Sequence, residues 1–456
     1  MVTCAPMQTL VRGGTIVTCD ATAPWGRVVD GSILIRGDRI VQVGDGDLIG
    51  RALSGKDPTR MIDAQGCAVI PGFVQAHVHL CQTLFRGMAD DLPLLDWLKK
   101  RIWPLEAAHD EGSLTTSAEL GLVEMMRAGT TTILDMGTVH GHDAVLEACA
   151  RSGIRAVSGK AMMDTGDGVP KGLRETTGRS LRESERLARA WNAEKTGRIR
   201  YGFAPRFILS CTEKLLRGVA EIASEMDAIV HTHAAEQTAE REAVRAALGD
   251  DDVAMLRKWG ISGERAVLAH GVQLRDDEAK QIAKEGTRVV HCPSSNMKLG
   301  SGIARVADLD RIGVQLALGA DGAPCNNNLD PWTEMRHAAL GASIKTGVTT
   351  FPAARVFRLA TIDGARALRM ASEIGSLEAG KQADLAVVRL DGVHAEPGGD
   401  PFSKLVYACR AHDVEHVLVA GQEVISFGRH CLLDEEKIVA DARVKAKKLA
   451  LRARIA

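Results

Sequence analysis

The chain has 456 residues, 45% of them hydrophobic and 25% charged, with a formal net charge of −1. This is a globular composition with enough chain for a sizeable core, and more of it than one ordinary domain holds. It shows no basic excess of the kind a nucleic-acid binder carries, no apolar run long enough to span a membrane, and no basic-then-apolar leader, so a cytoplasmic protein with neither nucleic-acid nor membrane partners is expected.

The first seventy residues read as short strands at 9–11, 15–19, 31–36 and 40–43, broken by glycine turns. The stretch 44–50 is G-x-G-x-x-x-G, and it carries Asp45 and Asp47. Those carboxylates would repel a phosphate, so a loop is expected there and not a dinucleotide site. From residue 68 the pattern changes. Apolar runs at 68–70 leading into 73–79, then at 131–135, 154–158, 199–203, 228–233, 266–270, 289–291 and 314–318, alternate with helical sequence. One such helical face is Ala118, Leu122, Met125 and Met126. Eight βα repeats predict a (β/α)8 TIM barrel of the α/β class. Strand-like segments return at 375–377, 383–389, 417–420 and 423–425. The two ends of the chain are therefore expected to build one small β-sandwich domain, from 1–68 and 372–430. The catalytic barrel would occupy 69–371, and 431–456 would form a final helix with acidic residues in its first turn and basic ones late.

Ten cysteines are scattered without a C-x-x-C pair, which predicts reduced, packed thiols. The fourteen histidines are more informative. Active sites of such barrels lie at the C-terminal strand ends. The first strand ends in His77-Val-His79, the fifth in His231-Thr-His233-Ala-Ala-Glu236, the sixth in His270, the seventh in His291 and the eighth in Asp321. Residues two apart on a strand share a side, so His77 and His79 can converge on one ion. With His233 and Asp321 they make a set of three imidazoles and one carboxylate, which suits Zn²⁺, or Fe²⁺ in the same geometry. His231 lies one pleat deeper and is read as a supporting histidine. Glu236, just past the strand end, can reach a substrate beside the metal. Two coincidences carry no function: Ser295-Asn-Met-Lys298 matches S-x-x-K without its partner motifs, and Cys325 has no need to act as a nucleophile where an activated water is at hand.

These residues resemble the amidohydrolase superfamily in its aromatic deaminase and chlorohydrolase branch. The likeness spans "PGFVQAHVHL" at 71–80, "DLPLLDWL" at 91–98, "HTHAAE" at 231–236, "HCPSSNMKLGSG" at 291–302, "LGADGAPCNN" at 318–327 and "IGSLEAGKQADLAVV" at 374–388. It is most similar to deaminases of S-adenosylhomocysteine, methylthioadenosine and 5′-deoxyadenosine. The resemblance implies a single metal. The fourth strand ends in Pro205-Arg206-Phe207, without the carboxylated lysine of binuclear members, and Lys160 sits at the third strand.

The resemblance also implies roles. His77, His79, His233 and Asp321 would bind the metal, with Asp321 taking a proton from the attacking water. His270 would orient that water, and Glu236 would protonate the ring nitrogen. Trp97, Arg206, His291 and Glu236 would contact substrate, with Asn326 and Asn327 holding a loop or the ligand. The segment "PRFILSC" at 205–211 is similar to guanine deaminases, which keeps open a guanine, other oxopurine or pterin substrate. The same residues are also compatible with amino- or chloro-hydrolysis of an s-triazine, and with a scaffold that has no catalytic activity. A homo-oligomer is a further implication of the family.

Overall fold

The computed structural model describes residues 8–44 and 59–455. Eight parallel strands make the barrel: β1 (Phe73–Val78), β2 (Thr130–Met136), β3 (Arg155–Gly159), β4 (Ile199–Tyr201), β5 (Val230–Ala234), β6 (Ala266–His270), β7 (Arg288–His291) and β8 (Gln315–Leu318). Runs such as Thr-Thr-Thr-Ile-Leu-Asp-Met in β2 are buried along their whole length, as a sheet covered by helices on one face and filled on the other requires. Hydrogen bonding runs continuously from β1 to β4 and from β5 to β8. Single bridges between Phe203 and Val230, Phe207 and His233, and Val78 and Asp321 close the ring. Two of those three bridges involve candidate site residues: one sets His233 beside Phe207, and the other sets Asp321 beside Val78 at the end of β1. Small apolar side chains fill the interior beneath them, among them Val74, Ala76, Leu134, Val157, Val290 and Ala317.

The helix Glu111–Arg127 shows how local sequence seats a surrounding element. Asp110 accepts from the Ser113 amide and Ser113 Oγ accepts from the Asp110 amide, a reciprocal cap that satisfies two otherwise free donors. Its buried face is Ala118, Leu122, Met125 and Met126, the stripe expected from the sequence.

Both chain ends join one nine-stranded sheet. Strand Cys67–Pro71 lies at its centre and runs almost directly into β1, so the sheet feeds the barrel. Gly72 between them is obligatory in size, because a Cβ there would fall 2.1 Å from Thr131. The expected β-sandwich is thus a single sheet rolled on itself. Its edge at Ile40 returns to bond Lys381 O, enclosing Ile16, Ile33, Ile35, Val69, Leu385 and Val387.

Three details differ from the sequence reading. The strands at 9–11 and 15–19 are one strand, Gln8–Val17, with its register shifted between Val11 and Gly14 where Gly13 takes φ 75°. Residues 375–377 form no strand, because Gly375 at φ 87° turns the chain and Leu377 makes a lone backbone bond to Thr18 O. Strand Thr59–Asp63, unanticipated, pairs in parallel with Gln8–Arg12. Beyond Gly44, the glycine-rich stretch at 44–50 lies outside the described residues.

The final helix spans Glu435–Ala453, capped by Asp434, whose side chain accepts from the Lys437 amide. It is not a purely solvated element. Ala442 and Leu449, with Ile455 beyond the helix, pack into one apolar cluster with Trp97, Leu98, Ile102 and Trp103. No helix among the described residues is long and apolar enough to cross a membrane. The nine described cysteines are all unpaired, and only Cys431 is exposed.

Candidate active site

The four expected ligands converge at the barrel mouth, with one ligand atom from each of His77, His79, His233 and Asp321 lying within 4.8 Å of the others. His77 Nε2 stands 3.1 Å and His79 Nε2 3.3 Å from Asp321 Oδ1, and the Nε2 atoms of His79 and His233 are 3.2 Å apart. Each ring is turned by what its other nitrogen meets. His79 Nδ1 donates to Met136 O at 2.8 Å and His233 Nδ1 to Arg206 O at 2.6 Å, leaving both Nε2 lone pairs facing inward. His77 Nδ1 is 2.8 Å from His231 Nε2, so His231 backs a ligand and is not one. Burial lowers His77 to about 4 and pushes His233 well below its ordinary value, which keeps these imidazoles neutral and able to coordinate. Burial acts to raise the Asp321 carboxyl, but its interaction and hydrogen bond with the His77 ring, with a further hydrogen bond from His79, hold it well below the usual range. Three imidazole nitrogens and one carboxylate at these spacings fit a tetrahedral divalent ion with an open position.

Around this centre stand the groups for chemistry. His270 Nδ1 donates to Asn296 Oδ1 at 2.9 Å, which aims Nε2 at Glu236 Oε2, 3.4 Å away, and at Asp321 Oδ2, 4.0 Å away. Ser295 Oγ donates to Asp321 Oδ2 at 2.6 Å, and the Gly322 amide donates to Oδ1 at 2.8 Å. Burial and the charge of Asp321 raise the Glu236 carboxyl well above its ordinary range, which favours its protonated form. His270 and Asp321 both adopt left-handed backbone, at φ 80° and 63°. Such conformations cost about 1–3 kcal/mol each, and here they turn two side chains inward at strand ends.

A cavity opens above, walled by Gln82, Leu94, Trp97, Leu98, Arg206, Phe207, Glu240 and Leu299 together with Glu236, His270 and Asp321. Four buried polar atoms of these wall residues have no hydrogen-bond partner among the described residues: Gln82 Oε1, Trp97 Nε1, Glu236 Oε1 and Glu240 Oε2. Buried polar groups are rarely left so, and a ligand is the natural complement.

Trp97 therefore sits where the sequence placed it. Arg206 also lines the cavity, but its Nη1 is committed to Glu106 Oε2 at 2.5 Å, and Gln82 Nε2 bonds the other Glu106 oxygen at 2.8 Å. His291 is buried and does not line the cavity. Asn326 holds Ala320 O and Glu334, and Asn327 holds Asp90 and Gly87, so both brace a loop.

The sequence reading missed Gln82, Glu106, Glu240, Ser295 and Asn296. Ser295 and Asn296 lay in the quoted 291–302 motif, and Glu106 carried no local signal.

A model of the amidohydrolase family matches residues 68–424. The chain belongs to this family. Its motifs implied as much, and the amidohydrolase likeness extends over the full length. A 5-methylthioadenosine/S-adenosylhomocysteine deaminase of Pelotomaculum thermopropionicum is 36% identical, covering 97% of this chain and 99% of that one. A 5′-deoxyadenosine deaminase of Methanothermobacter thermautotrophicus is 37% identical over 93% of this chain and 96% of its own. The crystal structure of an adenosine deaminase from Xanthomonas campestris with bound zinc superposes with a TM-score of 0.91 at 32% identity, covering 98% and 99% of the two chains.

Proposed function

We propose that this amidohydrolase hydrolytically deaminates the adenine ring of an adenosine modified at the 5′ position, such as methylthioadenosine, S-adenosylhomocysteine or 5′-deoxyadenosine, releasing ammonia. The observation that carries the reading is the set of orphaned polar atoms, set among Leu94, Leu98, Phe207 and Leu299, in the wall of a cavity at the four-ligand centre. A flat nitrogen heterocycle bearing hydroxyls supplies both the donors and the acceptors they lack, and the relatives named above act on such nucleosides.

A divalent metal at His77, His79, His233 and Asp321, Zn²⁺ in this proposal, supplies an activated water when bound. The chain's own groups do the rest. Protonated Glu236 gives its proton to the ring nitrogen beside the attacked carbon, making that carbon electrophilic. Asp321 Oδ2 receives the proton that the attacking water loses and passes it to the exocyclic amino group, so that the C–N bond breaks with ammonia as the leaving group. His270 Nε2, neutral because burial lowers its pKa, accepts a hydrogen bond from that water and fixes its approach. Trp97 and Phe207 wall the ring and exclude bulk solvent. All six positions of the constellation are present, which favours catalysis over a scaffold.

The deciding measurement is ammonia release from adenosine, 5′-deoxyadenosine, methylthioadenosine, S-adenosylhomocysteine, guanine and melamine. The highest kcat/KM should fall on a 5′-modified adenosine, and failure to turn over any purine overturns the reading.

One observation favours a second reading, an oxopurine or pterin substrate. The buried Arg206 guanidinium and the Gln82 amide, both anchored on Glu106, present a donor and an acceptor side by side in the cavity wall. Arg206→Ala alone would strand a buried carboxylate at a cost of about 3–5 kcal/mol, so the informative variant is Glu106→Gln with Arg206→Met. It should shift the ratio of kcat/KM between adenosine-type and oxopurine substrates more than it lowers kcat on the best substrate.

The same proposal includes a cytoplasmic homo-oligomer. Eight buried unpaired cysteines suit a reducing compartment. Ile344 and Val348, 78% and 81% exposed, give one face an apolar character that a second copy would cover. Light scattering should report a mass above that of one chain.

A further inference from the structure

We infer that a second divalent transition-metal site lies outside the barrel, formed by His394, His412 and Asp413. These residues come from two segments, a loop that follows strand Leu385–Arg389 and the turn Ala411–Asp413 that leads into strand Val414–Val419. One ligand atom from each lies within 4.8 Å of the other two.

The geometry is close to what an ion needs. His394 Nε2 is 2.9 Å from Asp413 Oδ2, and His412 Nε2 is 3.6 Å from Asp413 Oδ1. Metal–nitrogen and metal–oxygen bonds of about 2.0–2.2 Å place neighbouring ligand atoms roughly 3–3.5 Å apart in tetrahedral or octahedral shells. Small rotations of two imidazoles therefore suffice.

The carboxylate is held in place. Asp413 is buried, and its Oδ2 also accepts from the Arg410 amide at 2.8 Å. Among the described residues no lysine or arginine forms an ion pair with it, and its two ionic neighbours are these imidazoles. The His394 ring is seated against Gly392, where a Cβ would fall 2.7 Å from Cε1. The His412 side chain is 67% exposed, leaving room for water to complete the shell. Two imidazoles and a carboxylate favour Cu²⁺, Ni²⁺ and Zn²⁺ over Mg²⁺ and Ca²⁺. An ion here would tie the loop to the turn, which makes the site structural and independent of the barrel centre.

The test uses the full-length enzyme, loaded at its barrel centre, dialysed to equilibrium against micromolar Zn²⁺ and analysed for metal per chain. Wild type should hold two equivalents. The double variant His394→Ala/His412→Ala should hold one, with deaminase activity unchanged. One equivalent in both proteins overturns the inference, and two in both overturns it equally, since the extra ion then binds elsewhere. Both histidines are partly exposed and the Asp413 cap is kept, so the variant retains its fold, which circular dichroism checks.

Discussion

Replacing His77 with alanine should abolish both metal retention and turnover. His77 is fully buried, one of its nitrogens faces Asp321, and the other is fixed by His231. Alanine removes a ligand and leaves His231 Nε2 without its partner in a dry interior. No nearby side chain can take over, because β1 hands its next inward position to His79, already a ligand. Dialysed protein should carry close to no metal by elemental analysis, and ammonia release should fall to background at any substrate concentration. His231→Ala is the graded control. It removes only the backing hydrogen bond, so metal affinity should drop by about 10–100-fold and activity should return when excess metal is added. Full metal occupancy in His77→Ala would show that the ligand set is wrong.

Glu236→Gln should separate metal binding from chemistry. Glu236 stands 3.4 Å from His270 and belongs to no ligand set, so the variant should keep its metal. Glutamine fills the same space but has no proton to give, and kcat should fall by about 10²–10⁴-fold, the usual worth of a positioned general acid. The pH profile gives a second readout. The acid works only while protonated, and burial beside Asp321 raises its pKa. The wild-type rate should therefore persist through neutral pH and decline on the alkaline side as the proton is lost. In the glutamine variant the residual rate should lack that decline. Loss of metal from Glu236→Gln would make this residue a ligand and reverse its assigned role.

The candidate constellation was legible because its members lie at or just beyond the ends of barrel strands, and a strand's period of two fixes which side its residues face. His77, His79, His233, Glu236, His270 and Asp321 could be read in chain order without any tertiary knowledge. Arg206 shows where that reading stops. Its position at a strand end was plain, but its partner Glu106 lies 100 residues away on the helix Trp103–Ala107, and nothing local marks that glutamate as buried. Glu240 hid differently. It belongs to Thr238–Leu248, a helix rich in charged residues, and sequence cannot tell which of those charges turns inward. Ser295 was discounted because the motif it matched was the wrong one. Its hydroxyl instead steadies Asp321. The strand expected at 375–377 failed because apolar content alone does not supply a pairing neighbour.

The helix Glu435–Ala453 lies against the helices Glu111–Arg127 and Trp103–Ala107 and belongs to the same apolar cluster as Trp97 and Leu98 of the cavity wall. All four candidate ligands precede residue 322, so this helix supplies nothing to the metal centre and bears only on the wall around it. A substitution that loosens Leu449 in that cluster is therefore expected to raise KM while metal content stays unchanged.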